Sequence, residues 1–488
     1  MDTNISLALA FVVLVSVYLA RRKTRGLQFP PGPPGRPLIG NVFDMPRSNE
    51  WVQYKEWGQK SKSDIIHLSI FGTHLIILNS LEAVSDLLDK RSAIYSDRMG
   101  WSWTMGVMPA NAEWRSQRRH FRQEFDGGEI RRHYPSIISA TNDLLKRFID
   151  TPDKWGDHLR HMVGAIIMDV AYGIEVLPVG DPYILTAEAS FANVTKVCVP
   201  GAYLRKAKEW KKLTDAILEA PFEAMRREMD NGSAKASFCS RNLQHAEDKG
   251  DLKSEEPHIK AAAGGMYGAL LTLVVQIFAF LETFMLAMVQ HPEAQQKAHA
   301  EIDAVLGSGL PTFEDQKSLP YLSALIMECS RWEPVAAFTI PRMLTVDDEY
   351  RGYLLPKGAC IIPNIYQISK DEETYPEPFS FQPERYLKDG KIDHSVMNPT
   401  TMGMFGYGRR ICPGRHLAEK SAWLAAVSIL AMFRISKAVD EDGAIIEPSG
   451  RYTSGMTRHP EVFQCQITPR SNEARDLINA TEGDATGQ

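Results

Sequence analysis

The 488-residue sequence is poor in cysteine, and none of what it has is paired: Cys198, Cys239, Cys329, Cys360, Cys412 and Cys465 are scattered, without a single CxxC. That spacing excludes a disulfide scaffold and a zinc ribbon, and it fits a reducing compartment. There is no basic excess either. A net charge of −5 and a pI ≈ 6.3 leave no global field that would gather nucleic acid, so no nucleic-acid partner is expected. A Gly-rich dinucleotide loop is missing, and with it a site for a nicotinamide cofactor on this chain. Internal repeats are missing too. An apolar content of 44% is ordinary for a globular core, and the economical reading is one large mixed domain, mainly α.

Long uncharged runs are few, and each needs a place. Ile5 to Ala20 carries no charge and is followed at once by Arg21, Arg22, Lys23 and Arg25. A cleaved signal peptide has its positive charge before the apolar run, whereas here it comes after, so the segment reads as a membrane anchor with the basic side cytosolic. "FPPGPPGRPLIGN" (29–41) then reads as a stiff spacer, since fixed proline φ angles and missing N–H donors forbid helix. The second run, Ala261 to Leu281, has 21 uncharged residues. Periodicity leaves two readings open, a second membrane span or a helix surrounded by protein.

Elsewhere the chain reads mostly helical. "DIIHLSIFGTHLIILNS" (64–80) is a hairpin turning at Gly72-Thr73, followed by a helix over 81–90 with Ser80 as its N-cap. Further helices are predicted over 114–125, 135–149, 292–306 and 320–332, and a polar, disordered tail from Ser471.

Cys412 stands apart from the other cysteines. It lies in "FGYGRRICPGRH" (405–416), where Gly406, Gly408 and Gly414 permit close approaches and Pro413 stiffens the chain. Arg409, Arg410 and a helix starting near Arg415 are expected to hold its sulfur as a thiolate, a soft metal ligand, with Phe405 and Ile411 as shields.

"FGYGRRICPG" resembles the haem-binding signature of the cytochrome P450 family, with Phe405, Arg410, Cys412 and Gly414 at its positions. Four other stretches follow in the family's order. Glu328 and Arg331 in "ECSR" resemble the ExxR pair, and Pro383-Glu384-Arg385-Tyr386 the motif whose arginine joins it. Trp114 and Arg118 in "WRSQR" resemble the tryptophan and arginine of the helix over the haem, and the anchor with "PPGPPG" resembles a microsomal N-terminus. The wording of "DDEYRGYLLPKGACIIPN" and "RRICPGRHLAE" is most similar to fungal enzymes of secondary metabolism.

The resemblance implies a mainly α fold with small β-sheets (α+β), a single haem-enclosing domain with a long central helix over 260–289. It divides the chain into a lumenal 1–4, a transmembrane anchor at 5–20, a basic and Pro-rich linker at 21–37, a catalytic domain at 38–470 and a tail at 471–488. Cys412 would be the axial ligand of haem b iron. Arg118, Arg342, Arg410 and Trp114 would serve the propionates, and Glu328, Arg331 and Arg385 would be structural. The implied chemistry is insertion of one oxygen atom from O2 into a lipophilic molecule, by hydroxylation or epoxidation of a terpenoid, polyketide or indole. Electrons would come from NADPH through cytochrome P450 reductase, with cytochrome b5 as a second donor. The expected setting is the endoplasmic reticulum membrane, single-pass, with membrane lipid around the anchor and the catalytic domain in the cytosol. Wall residues would be Trp101, Met105, Val335, Ala337, Phe338 and Met456.

One family feature is missing. The central helix usually carries an acid and a threonine that relay protons, and "GALLTLVVQ" (268–276) has no carboxylate. Thr272 and Gln276 are the remaining candidates. That absence keeps a second class in view, a haem-thiolate isomerase, dehydratase or peroxygenase, or an inactive ligand-binding relative.

Overall fold

In a computed structural model, residues 27–98, 104–194, 203–269, 275–455 and 457–481 are described. Among the described residues helices dominate, with four small sheets. The hairpin pairs Ile65–Ile70 with Thr73–Leu78. Its two-residue turn is Phe71-Gly72, one position earlier than the sequence suggests, with φ of 48° and 82°, the left-handed pair that a tight hairpin needs. Leu75–Leu78 then pairs parallel with Cys360–Pro363, which pairs antiparallel with Arg342–Met343. This brings Arg342 in from far along the chain.

Local signals set the helix ends. Asn111 accepts a hydrogen bond from the Trp114 N–H at 2.9 Å and so starts the helix Ala112–Phe125. Pro292 and Pro320 open helices Pro292–Leu306 and Pro320–Trp332 at N1, where a missing N–H costs nothing. Ser80 accepts from the Ala83 N–H as predicted, but the helix it starts is α only to Val84 and widens to a π-helix over Ser85–Lys90.

Over the uncharged run the described residues are helical, within Leu252–Ala269 and Val275–Gln290, and 270–274 lie outside the described residues. Ala261 to Tyr267 and Ile277 to Leu281 are buried in the main core. Among the described residues no helix is long and apolar enough to cross a membrane. The anchor at 5–20 lies outside the described residues. Every residue from Ser421 to Phe433 is also buried, so the helix Arg415–Met432, half-buried and charged over its first turns, is uncharged and enclosed by protein from Ser421 on.

The C-terminal tail departs from expectation. Ser471 accepts from the Ala474 N–H and starts a helix, Asn472–Ala480. Ala474 and Ile478, four apart on one face, pack into the main core, and that burial outweighs the polar composition that suggested disorder.

Candidate active site

The cysteine loop is held by close backbone fits. Gly408 has φ +49°, and a Cβ there would lie 2.3 Å from the Leu88 carbonyl oxygen, so the loop lies directly on the π-helical turn Ser85–Lys90. The Cys412 N–H donates to the Phe405 carbonyl at 2.7 Å, closing the loop. Gly414 is the N-cap of the helix Arg415–Met432. Cys412 keeps a partly exposed face, yet the protein packed around the thiol pushes its pKa up; the Gly414 N–H and the charges of Arg118 and Arg415 oppose this only in part. The expected roles of Arg409 and Arg410 are corrected here. In the free thiol burial prevails, and the nearby cations are Arg118 and Arg415.

Arg410 turns the other way. Its Nε, Nη1 and Nη2 donate to the carbonyls of Ser96, Met105 and Met108 at 2.7, 3.1 and 2.8 Å, and its guanidinium lies 4.5 Å from the Trp114 ring centre. Arg118 Nη1 donates to the Ile411 carbonyl at 2.6 Å, and Arg342 Nη2 to the Tyr407 carbonyl at 2.5 Å. Arg98, which the sequence did not single out, joins them by donating to the Ile340 and Pro341 carbonyls. Burial is the chief cause that pushes Arg342 and Arg410 down to about 10, and it lowers Arg98 as well; repulsion from Arg410 adds to it at Arg342, from Arg342 and Arg410 at Arg98, and from Arg118 at Arg410, where Asp97 opposes it.

Three of these arginines are short of acceptors. Arg342 Nε and Nη1, Arg98 Nε and Arg118 Nε are buried without a hydrogen-bond partner. Buried guanidinium N–H groups without acceptors are costly, and paired carboxylates from a ligand would satisfy them. A cysteine at a helix N-terminus, flanked by such a cluster, fits an iron tetrapyrrole bearing two propionates.

A second cluster ties the helix Pro320–Trp332 to the segment 369–385. Arg331 Nε and Nη2 donate to Glu328 at 2.8 Å each, its Nη1 reaches the Ser369 and Pro378 carbonyls, and Arg385 Nε reaches Glu328 at 3.2 Å.

The family model of cytochrome P450 matches residues 30–465. The chain belongs to the cytochrome P450 family. Among its relatives, tryptamine 4-monooxygenase of Psilocybe cyanescens is 39% identical over 95% of this chain and 98% of that one. Cytochrome P450 monooxygenase 98 of Postia placenta is 40% identical over 97% and 96%, and cytochrome P450 monooxygenase ple1 of Rhodocybe pseudopiperita is 37% identical over 97% and 96%. Membership brings haem b as cofactor, electrons from NAD(P)H through a redox partner, and monooxygenase chemistry.

In this cytochrome P450 the distal candidates are unevenly placed. Thr272, Trp101 and Met456 lie outside the described residues, as do 99–103 and 195–202. Gln276 is half-buried near the start of its helix. Met105 and Val335 lie in the main core and Ala337 is fully buried. Phe338 instead packs against Trp51 and Tyr54, with ring centres 6.1 and 5.6 Å apart, on a buried cluster with Ile66, Leu68 and Ile77 that is separate from the one holding Val335 and Met105. Arg98 stands in "IYSDRMGWSW" directly after Asp97, where it reads as one half of an ordinary charged pair, and only the fold places it beside Arg342.

Proposed function

We propose that this cytochrome P450 is a membrane-anchored monooxygenase that hydroxylates or epoxidises a lipophilic small molecule in fungal secondary metabolism, with Cys412 as the axial iron ligand. The observation that carries the reading is the cysteine loop itself, where Cys412 and a set of buried arginines with unpartnered N–H groups converge. Haem b, when bound, supplies reductive activation of O2 and transfer of one oxygen atom.

The chain's own contribution is binding and exclusion. Arg98, Arg118, Arg342 and Arg410 would anchor the propionates, with Trp114 stacked on Arg410. Phe405 packs on the main core and would shield the sulfur. Glu328, Arg331 and Arg385 fix the segment that supports the loop. Met105, Val335 and Ala337 supply apolar wall, which suits a greasy substrate. An indole is the substrate class favoured by the relative named tryptamine 4-monooxygenase, with terpenoids and polyketides as the other members of the class. Thr272 or Gln276 would hold a proton donor close to the substrate in place of the missing carboxylate.

The apolar Ile5–Ala20 and the cluster Arg21, Arg22, Lys23 and Arg25 support a single-pass anchor in the endoplasmic reticulum membrane with the domain in the cytosol. The partner would be NADPH–cytochrome P450 reductase, with cytochrome b5 as an accessory donor.

The test is expression in a host that supplies a reductase, with metabolites compared with and without this chain under 18O2. One labelled oxygen in a new lipophilic product is expected. Products altered without labelled oxygen would overturn the reading in favour of an isomerase or dehydratase. Deleting residues 1–25 should move the protein from the membrane to the soluble fraction; retention there as an integral membrane protein would end the single-anchor reading.

A further inference from the structure

The helix Ala112–Phe125 carries Arg115, Arg119 and Arg122, all exposed and spaced so that they share one stripe of its surface. On a chain whose net charge is −5, such a stripe is a local field of the opposite sign, and it suits an acidic protein. The core side of the same helix places Arg118 on the Ile411 carbonyl, next to Cys412. The stripe therefore lies alongside the cysteine loop, whose sulfur keeps a partly exposed face.

The middle arginine is tied inward. Arg119 Nη2 donates to both oxygens of Glu255, at 2.8 and 3.0 Å, although its side chain is still 54% exposed. The same carboxylate meets Nε2 of the buried His120 at 2.8 Å. Nδ1 of His120 meets Oδ1 of Asn242 at 2.8 Å, and that amide is oriented by its Nδ2, which donates to the Phe238 carbonyl. Both ring nitrogens face acceptors, so the ring donates twice. Burial raises the Glu255 carboxyl, but the hydrogen bonds from His120 and Arg119 outweigh it and hold the group below the ordinary carboxylate range. Arg122, by contrast, has Asp126 at 4.0 Å, at the end of its own helix. Glu255 stands in the first turn of Leu252–Ala269, which continues through Ala262, Ala263 and Met266 into the core cluster that holds Met105 and Val335. A single carboxylate joins the exposed stripe to the helix that runs into the apolar wall.

Resting on the monooxygenase reading above, we propose that Glu255 is a positioning residue that couples docking of an acidic electron donor on the arginine stripe to occupancy of the substrate pocket. Carboxylates of the docked partner compete with Glu255 for Arg119. Once Arg119 is drawn off, Glu255 keeps His120 alone, and the helices Ala112–Phe125 and Leu252–Ala269 lose one of the contacts that fix their spacing. A ligand in the pocket senses that spacing from the other end, so partner and ligand change each other's affinity by one common factor.

The experiment uses the full haem-loaded chain in detergent, oxidised NADPH–cytochrome P450 reductase without NADPH as partner, and 4-phenylimidazole as the pocket probe. The probe's dissociation constant is read from the shift of the haem absorption band, with and without saturating reductase at low salt. Reductase should change that constant at least about fivefold in wild type, and the probe should change reductase affinity by the same factor. Glu255→Gln, which keeps an acceptor for His120, and Arg119→Met, which leaves Glu255 and His120 in place, should each bring the factor to within about twofold. Arg122→Met should weaken docking and leave the factor as in wild type. A smaller factor in wild type, a larger one in Glu255→Gln or Arg119→Met, or its loss in Arg122→Met overturns the proposal, as does a wild type that does not dock the reductase. If wild type itself lacks a thiolate-type CO band, the functional reading falls and takes this inference with it. A normal band without coupling removes this inference alone.

Discussion

Arg331 and Glu328 form a two-pronged ion pair with both side chains fully out of water. The remaining donors of Arg331 go to the carbonyls of Ser369, Pro378 and Ser380, and Glu328 also takes the Gln382 N–H and Arg385. One helix turn is thus tied to the segment 369–385 beside the cysteine loop. Replacing Glu328 by Gln leaves a guanidinium buried without its counter-charge, and the variant should lose about 3–5 kcal/mol of stability. Chemical denaturation and haem content measured on the same preparation check this. A Glu328→Gln protein with wild-type stability and full haem loading would remove the structural role.

Gly408 offers a cleaner probe of the loop, since the change adds one carbon. With φ at +49° and the Leu88 carbonyl 2.3 Å from where a Cβ would stand, Gly408→Ala must lift the loop off the Ser85–Lys90 turn at about 1–3 kcal/mol. Far-ultraviolet circular dichroism should stay native while haem content per protein falls. Equal haem content in variant and wild type would show that the contact does not position the cysteine.

Much of the frame was legible in the sequence, for identifiable physical reasons. Pro292 and Pro320 mark helix starts through a purely local constraint, and the two helices begin there and end at Leu306 and Trp332. Ser80 caps its helix for the same kind of reason. The widening to π-helix after Val84 was not legible, because no local residue dictates it. Nor was the direction of Arg410, set by the carbonyls of Ser96, Met105 and Met108 about 300 positions away. Arg98 was missed because its neighbours in space, Ile340 and Arg342, are distant in sequence. The helix Asn472–Ala480 was readable from Ser471 and the spacing of Ala474 and Ile478, but the polar composition around them hid it.

Stability should also depend on pH through the hairpin. His67 and His74 face each other across it, Nε2 to Nδ1 at 2.8 Å, with Phe29 stacked on His67 at 4.7 Å. Burial first, then His74, pushes His67 down to about 4, and burial lowers His74. Both groups bind protons more readily when unfolded, so the native state is favoured above the ordinary histidine range and loses stability as pH falls toward 4. Between pH 7 and pH 5 His67 alone should account for about 1–2 kcal/mol. Urea titrations at the two pH values should show that loss in wild type and a smaller one in His67→Phe; equal losses in both would place the pH dependence elsewhere, His299 being the next buried imidazole held low.

Haem-thiolate chemistry requires the sulfur of Cys412, whose thiol is pushed up by burial in the free chain and must lose its proton to bind iron. Spectra of the reduced, CO-treated protein test this, because thiolate ligation shifts the Soret band strongly to the red. That band is expected in wild type and should be lost in Cys412→Ala, with the five other cysteines intact. A red-shifted band of undiminished height in Cys412→Ala would contradict it.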